Sequence, residues 1–253
     1  LFRSCQRLKE YGCQKYQLSL DGMRHTHDWF RKPGSFDTTL EKIGCINRAG
    51  IRIVIMTTVS GVNIDEVPDI IDTAVKYEAD VFAFARYCPT GDEKDVGITP
   101  QRYRRLLEDC DKKFRKYEEA GCKTYFNKKD HLWTLYEYET GAFKIPEAAE
   151  EGMIYGSCNC GNCHMTILPT GDVFACRRVA GSQVGNVFRD RLADIWICAM
   201  ENYRDYTKFK KCSKCELLAF CRGCPAVAAG SSGLEGVEGF YEADPQCWKK
   251  VRA

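Results

Sequence analysis

Ten of the sixteen cysteines lie in roughly the last hundred residues, between Cys158 and Cys247. Within this stretch, Cys212-x2-Cys215-x5-Cys221-x2-Cys224 places four thiols in one short block. Two adjacent Cys-x-x-Cys pairs can direct four sulfurs at one centre, as in iron–sulfur and structural zinc sites. The other candidate ligands are Cys158, Cys160, Cys163, Cys176 and Cys247. Since one four-coordinate ion cannot use them all, we predict two cysteine-bound clusters, or one cluster and one metal ion.

Zinc and disulfides are the alternatives to iron–sulfur clusters. Four-cysteine zinc ribbons use similar paired spacing, so zinc at residues 212–224 stays open. Disulfides belong to oxidising compartments and usually to short chains without a core. This chain has 253 residues, is 44% hydrophobic and starts with Leu-Phe-Arg-Ser-Cys, which is not a signal peptide. Cys198 lies in an apolar helical pattern and is predicted to be a core thiol rather than a ligand.

The order of the cysteines resembles that of a known domain. It reads Cys158-x12-Gly171-x4-Cys176, then the four-cysteine block, then Cys247. With the segments ILPTGDVFACRR, GNVFRDRLADIW and FCRGCPA, this order resembles the SPASM domain, the two-cluster extension of radical S-adenosylmethionine (SAM) enzymes that modify peptides and proteins. One spacing departs from the family pattern, because two residues rather than three separate Cys221 from Cys224.

The resemblance also implies how the thiols are shared between two auxiliary [4Fe–4S] clusters. One cluster takes Cys176 and Cys224 together with thiols from the early group. That group offers three candidates for at most two places: Cys158, Cys160 and Cys163. The resemblance therefore leaves open a spare thiol, or a cluster with an open site for a substrate thiol. The ligands implied for the other cluster are Cys212, Cys215, Cys221 and Cys247.

Strand and helix patterns alternate in the first ninety residues. Strands are predicted at 16–20, 51–59 and 81–85, the second covered on both faces. Between them, Ser35 can cap one helix, and Asn63 with Glu66 forms a capping box for another. Such alternation predicts parallel βαβ units, in which ligands bind beyond the carboxyl ends of the strands. Those ends are residues 19–22, 58–63 and 86–91.

The same segment resembles the second half of a radical SAM partial barrel. The matching text is QLSLDGMRHTHDWFRKPGSFDTTLEKI, TTVSGVN and ARYCPTG. The resemblance implies that Ser19 contacts the SAM ribose and that Arg31 contacts the SAM carboxylate. Asp21 is placed with them in the cofactor site, although a turn-forming role is the alternative. His25 and His27 have no acidic or cysteine partner at ligand spacing and are predicted to lie on a solvated loop.

The predicted fold is therefore α/β. Residues 1–95 form the C-terminal half of a radical SAM (β/α)6 barrel, and residues 96–150 a helical and aromatic bridge. Residues 151–253 form the cysteine-rich SPASM domain, with a β-hairpin around Thr170-Gly171 and short helices. No cysteines here have the spacing Cys-x3-Cys-x-x-Cys, which binds the third, SAM-cleaving [4Fe–4S] cluster in the family. We therefore expect an N-terminally incomplete sequence that is inactive alone.

For the full-length protein, the resemblance implies a 5′-deoxyadenosyl radical that abstracts hydrogen from a peptide or protein substrate. Thioether crosslinking of a cysteine-rich precursor peptide is the reaction we predict. Formylglycine formation, as in sulfatase-maturing relatives, is a weaker alternative, because Arg177 stands where those relatives carry an acidic base. Arg177 and Arg178 instead suggest an anionic group near the cluster. The rival from another class is a non-catalytic metal-binding or peptide-recognition module.

Net charge and hydropathy limit the classes of partner that we expect. The formal net charge is +2, so no nucleic-acid partner is indicated. No apolar run approaches the ~20 residues that a membrane span needs. We expect a cytoplasmic protein whose partners are its substrate and an electron donor such as ferredoxin or flavodoxin.

Overall fold

A computed structural model describes residues 2–90, 97–150 and 152–251. The chain divides into two compact units. The sheet unit comprises Leu1–Tyr87 with Arg102–Lys129, and the cysteine unit comprises Cys88–Gln101 with Asp130–Ala253. The predicted domain limits at residues 95 and 150 stay a prediction. Of the predicted strand-end segment 86–91, residue 91 lies outside the described residues.

The sheet unit alternates helices and strands. Its elements are α1 (Phe2–Glu10), β1 (Lys15–Ser19), α2 (Arg24–Phe30), α3 (Ser35–Arg48), β2 (Arg52–Val59), α4 (Val67–Lys76), β3 (Val81–Arg86), α5 (Pro100–Glu119) and β4 (Tyr125–Asn127). The strands form a parallel sheet in the order β1-β2-β3-β4, with Ser19 opposite Met56 and Thr58 opposite Ala85. The parallel βαβ arrangement predicted from the sequence is confirmed, whereas α2 and β4 were not predicted.

Burial in this unit follows the side-chain alternation of the strands. Ile53, Ile55 and Val59 of β2 have no exposed surface, whereas Arg52 and Thr58 on the other face are exposed. The expectation that both faces of β2 are covered is therefore wrong. On α5, one apolar face is buried: Tyr103, Leu106, Leu107, Cys110 and Phe114.

The starts of two helices differ from the predicted caps. Gly34, rather than Ser35, is the N-cap of α3, and the carboxylate of Asp28 accepts hydrogen bonds from the N–H groups of Gly34 (2.8 Å) and Phe36 (2.7 Å). These backbone bonds lower the pKa of Asp28. A 3₁₀ turn at Ile64–Glu66 precedes α4, and no side chain caps either element. The predicted capping box is therefore absent, since both of its polar side chains bind elsewhere.

The cysteine unit has short elements separated by loops. They are α6 (Leu132–Thr140), β5 (Thr166–Ile167), β6 (Asp172–Phe174), β7 (Gln183–Asn186), α7 (Leu192–Ile197), α8 (Pro225–Ser232) and α9 (Gly236–Phe240). β5 and β6 pair antiparallel, as the predicted hairpin requires, and β7 adds a third strand. Gly171 has φ +81° at the hairpin turn, and a Cβ there would lie 2.5 Å from the Phe188 ring. The turn therefore requires glycine.

The interior of this unit joins aromatic rings to thiols. Phe209 contacts Phe240 and Tyr241 at centroid distances of 5.7 and 4.9 Å. Cys160, Cys212 and Cys224 belong to the same buried cluster. Cys198 does not, because it is the exposed C-cap of α7, so its predicted core position is wrong. Among the described residues, no helix combines the length and apolar character needed to cross a membrane.

Candidate functional site

Asp21 links the ends of two strands in the sheet unit. It follows β1, is 4% exposed, and accepts hydrogen bonds at Oδ2 from Arg31 Nε (2.9 Å) and Nη2 (2.5 Å). Its Oδ1 accepts from the N–H of Thr58 at 2.8 Å. Ser19, the last residue of β1, is half-buried two positions before it. The structure thus brings Asp21 and Arg31 into contact, with Ser19 at the same end of β1.

Asn63 and Glu66 brace this strand end rather than capping a helix. Asn63 Nδ2 donates to the carbonyls of Asp21 and Thr58, both at 2.8 Å. The Glu66 carboxylate accepts from the N–H of Met23 and from the Thr26 hydroxyl, both at 2.5 Å. The polar spacing that suggested a capping box therefore identified two residues that hold the loop after β1.

His27 is also part of this brace. It lies in α2 with 1% exposure, and its Nδ1 accepts a hydrogen bond from the N–H of Asp21 at 3.0 Å. The predicted loop is therefore wrong for both histidines, which lie in α2, although His25 is exposed as a solvated residue should be. Burial lowers the pKa of His27 and is the largest influence on it. The charge of Asp21 raises this pKa, and the charge of Arg31 lowers it. Burial and the hydrogen bond that Nδ1 accepts therefore both favour the neutral ring.

The chemistry of these groups fits part of SAM. A hydroxyl suits a ribose diol, and a guanidinium suits a carboxylate. The Arg31 side chain is 46% exposed, so the guanidinium is accessible to a ligand while its Nε and Nη2 atoms bind Asp21. The assignment of Ser19, Asp21 and Arg31 to SAM stays a prediction.

Four cysteines in the cysteine unit form what we call the first thiol group: Cys158, Cys160, Cys176 and Cys224. Burial raises the pKa of Cys158 to about 11; the Cys160 N–H opposes this shift, while charge on Cys224 and Cys176 adds to it. Burial also raises the pKa of Cys160, whose Sγ donates to the Ala175 carbonyl at 3.0 Å. Cys163, the third member of the early sequence group, is exposed.

Another four form the second thiol group: Cys212, Cys215, Cys221 and Cys247. They line one small cavity of about 20 Å³. Burial raises the pKa of both Cys212 and Cys221 to about 12, and the charges of neighbouring thiols add to the shift. This is the set of four that the sequence resemblance implied for one cluster.

The donor sets fit cysteine-bound clusters. Each group offers four thiols, the number that a [4Fe–4S] cluster requires. Burial raises the pKa of Cys158, Cys160, Cys212 and Cys221, so these thiols would lose their protons most readily to a bound cation such as iron. In the described part of the chain, no three Cys, His, Asp or Glu side chains are placed where they could share one metal ion.

Sequence reasoning missed the residues that connect the two groups. Arg222 is 3% exposed and donates to the carbonyls of Leu218 (3.1 Å), Gly156 (3.0 Å) and Cys158 (2.9 Å). Asp244 Oδ2 accepts from the N–H of Cys224 at 2.8 Å. The sequence did offer one indication of Arg222, because a charged residue between Cys221 and Cys224 must lie close to the thiols. No sequence pattern around Asp244 indicated its hydrogen bond with Cys224.

Comparison with known proteins bears on both units. Residues 158–225 match the model of SPASM, an iron–sulfur cluster-binding domain. The chain is 28% identical over 198 residues to an AdoMet-dependent heme synthase of Methanosarcina barkeri, covering 76% of this chain and 55% of that protein. It is 29% identical over 85 residues to the sporulation killing factor maturation protein SkfB of Bacillus subtilis, covering 33% of this chain and 21% of that protein. The chain spans about half the length of the heme synthases it matches.

Solved structures show the same fold. Streptococcus suis SuiB bound to S-adenosylmethionine superposes with a TM-score of 0.64 at 20% identity, covering 92% of this chain and 53% of that chain. SuiB bound to the precursor peptide SuiA gives 0.62 at 21% identity, covering 91% and 53%. The predicted resemblance to radical SAM enzymes with a SPASM domain is confirmed, and so is the predicted fold class.

Proposed function

We propose that the full-length protein is a radical SAM enzyme that modifies a peptide or protein. The observation that carries the proposal is the pair of four-thiol groups in a unit whose residues 158–225 match an iron–sulfur cluster-binding domain. SuiB and SkfB support a peptide substrate, since one is seen with a precursor peptide and the other is named for maturation of a killing factor.

In this proposal, the strand-end residues position the cofactor. Ser19 donates to the SAM ribose and Arg31 to the SAM carboxylate, while Asp21 fixes the guanidinium in direction. Asn63, Glu66 and His27 keep the loop after β1 in place. When bound, the reduced third cluster supplies the electron that cleaves SAM. We also propose that ferredoxin or flavodoxin supplies the electrons and that the protein is cytoplasmic.

The finer proposal is thioether crosslinking of a cysteine-rich precursor peptide, with one auxiliary [4Fe–4S] cluster in each thiol group. Arg177 and Arg178 support an anionic substrate segment, because two guanidinium groups follow Cys176 directly. We further propose that the 253-residue chain alone does not cleave SAM, since none of its cysteines has the spacing Cys-x3-Cys-x-x-Cys.

A tetrapyrrole is the second candidate substrate. The heme synthase of M. barkeri matches over 76% of this chain, whereas SkfB matches over 33%. The carboxylates of a tetrapyrrole are also anions that Arg177 and Arg178 suit.

An assay of the intact protein tests the proposal. The anaerobically reconstituted enzyme is incubated with SAM and reductant, and 5′-deoxyadenosine is measured. It is then coexpressed with short cysteine-rich reading frames from the neighbourhood of its gene. We expect 5′-deoxyadenosine, and for each thioether formed the peptide should lose two hydrogen atoms, one from carbon and one from the cysteine thiol. Turnover of an iron tetrapyrrole instead would favour the second candidate, and absence of SAM cleavage would favour a non-catalytic module.

A further inference from the structure

Lysines surround the second thiol group in the sequence. Residues 207–215, which include Cys212 and Cys215, contain four lysines and no acidic residue, and two more lysines follow Cys247 closely. Lysine is not among the ligands of a cysteine-bound cluster, so these charges need another explanation. The six residues are Lys208, Lys210, Lys211, Lys214, Lys249 and Lys250.

Lys211 brings the two lysine-bearing segments together in the fold. Its Nζ donates to the carbonyl of Cys247 at 2.8 Å, so the chain around Cys212 lies against the chain around Cys247. Lys211 and Lys249 both line the cavity of the second thiol group. Lysines that are distant in sequence therefore meet at one face of the cysteine unit.

The thiols of this group differ in their access to solvent. Cys212 and Cys221 are buried, whereas Cys215 and Cys247 are partly exposed. All four line the same cavity. A protein docked on the side of Cys215 and Cys247 would therefore reach a cluster held by this group across thiols that are already partly at the surface.

The outermost lysines keep their charge available at this face. Lys249 pairs with Glu216 at 2.8 Å, so the charge of Lys249 is offset. Lys214 directly precedes Cys215, Lys250 directly follows Lys249, and both are exposed. Within the part of the chain that the structure describes, no ion pair joins either of them to a carboxylate. Two uncompensated positive charges thus stand next to cavity-lining residues.

A positive rim around a redox group suits an acidic electron carrier. Complementary charge steers two proteins together and fixes their relative orientation. Electron-transfer complexes bury small interfaces, so a few rim charges are enough to guide docking. An acidic substrate segment would match the charge too, but thiols fill all four ligand places of this group and leave none for a substrate. The observations therefore favour an electron carrier.

We propose that the face formed by Lys211, Lys214, Lys249 and Lys250 docks an acidic electron-transfer protein of the iron–sulfur or flavin class. When bound, the cluster of the second thiol group supplies the acceptor for the one electron that the reduced carrier gives up, with no transfer of a proton or a bond. The proposal rests on the proposed function, because it requires a cluster at this group.

Charge reversal of the two outer lysines in the intact protein tests the docking face. The variant carries Lys214→Glu and Lys250→Glu, and both cavity-lining lysines stay unchanged. Lys129→Glu with Lys144→Glu is the matched control, because it changes the net charge equally at two exposed lysines elsewhere. Lys214→Gln with Lys250→Gln is a second variant that removes the charges without adding carboxylates.

Two measurements are made on each anaerobically reconstituted protein. Calorimetry gives the Kd of an oxidised bacterial ferredoxin at ionic strengths of about 0.02 M and about 0.5 M, since salt at the higher value screens exposed charges. The formation of 5′-deoxyadenosine and the modification of the substrate are measured with photoreduced deazaflavin, a small neutral reductant that needs no docking face.

We expect charge reversal to raise the Kd of ferredoxin about tenfold at low ionic strength, and charge removal to raise it about threefold. The control should stay within about twofold of the unchanged protein, and at about 0.5 M salt the differences should nearly vanish. With deazaflavin, every variant should form 5′-deoxyadenosine as the unchanged protein does.

Equal ferredoxin affinity of the charge-reversed variant and the control would overturn the docking face and leave the proposed function standing. Loss of substrate modification with deazaflavin, at unchanged ferredoxin affinity, would overturn it as well and assign the face to the substrate. Absence of SAM cleavage by the unchanged protein would instead count against the proposed function itself.

Discussion

Asp21 connects three other residues of the strand-end site. Its carboxylate holds the guanidinium of Arg31 and the N–H of Thr58, while its own N–H is held by His27. Because the carboxylate is 4% exposed, an uncompensated change there leaves a buried donor without an acceptor. The positions of the Arg31 guanidinium and of the Thr58 N–H therefore both depend on this carboxylate.

Replacing Asp21 by Asn should destabilise the protein. The amide group would face the Arg31 donors with a donor of its own, so we expect a loss of about 1–3 kcal/mol in the free energy of unfolding. Asp37→Asn is the control, since Asp37 pairs with Arg24 where both side chains are more than half exposed (58% and 60%). Its loss should stay within about 1 kcal/mol. Chemical denaturation measures both, and equal losses would show that Asp21 has no special role.

His27 should make stability depend on pH. Its pKa is lowered below the ordinary value of 6.5, mainly by burial. The unfolded state then binds the proton more readily than the folded state. The stability that the neutral His27 ring contributes is therefore fully present above about pH 6.5 and declines as the pH falls below that value. Protonation of Nδ1 would also break the bond from the Asp21 N–H.

The His27 effect can be isolated by substitution. His27→Asn keeps an acceptor but does not titrate, so its free energy of unfolding should fall less than that of the unchanged protein between about pH 7 and about pH 5. His25→Asn, an exposed neighbour in α2, should retain the original pH dependence. If all three proteins lost stability in parallel, the buried histidine would not be the cause.

At the scale of elements, the turn at residues 221–224 separates the two thiol groups. Cys221 belongs to the second group and Cys224 to the first. Between them, Gly223 has φ +62°, and a Cβ there would lie 2.5 Å from Asp244 Oδ2. That same oxygen accepts the hydrogen bond from Cys224. Glycine is therefore required both by the backbone and by the approach of Asp244.

Gly223→Ala should destabilise the protein by more than the strain of placing alanine in a left-handed backbone conformation. Gly152 also has positive φ (+80°), with no atom within 4 Å of an added Cβ, so Gly152→Ala should lose only about 1–2 kcal/mol. Gly223→Ala adds displacement of Asp244, and should lower both the melting temperature and the iron content further. Equal effects of the two substitutions would mean that Asp244 does not hold the turn.

Arg222 links the segment around Cys158 to the segment around Cys221 by hydrogen bonds to three carbonyl groups. Its N–H donors reach Leu218, Gly156 and Cys158, and burial lowers its pKa. Lysine donates from one point and cannot span these acceptors. Arg222→Lys should therefore lose about 1–3 kcal/mol of unfolding free energy. Arg191→Lys, at a side chain that is 83% exposed, should be nearly neutral by the same denaturation measurement.

Local patterns predicted the sheet well and the side-chain contacts poorly. The three predicted strands and the β5–β6 hairpin follow from hydrophobic periodicity and turn residues, and they are present. The capping box at Asn63 failed because hydrogen bonds to Asp21 and Thr58 compete for the same side chain. Asp244 could not be found because it reaches Cys224 only through a contact between residues distant in sequence.

At the scale of the whole molecule, the two units carry different parts of the proposed chemistry. The sheet unit presents Ser19, Asp21 and Arg31 at the carboxyl end of its first strand, and the cysteine unit holds eight thiols in two groups. Because the chain spans about half of the heme synthases it matches, its own activity is a separate question from that of the full-length protein.

The most direct measurement is the iron and acid-labile sulfide content of this chain after anaerobic reconstitution. Two cysteine-bound [4Fe–4S] clusters predict about eight iron atoms and about eight sulfides per chain, in a brown protein. A colourless chain that binds zinc without sulfide, or that pairs its cysteines as disulfides, would contradict the assignment of both thiol groups.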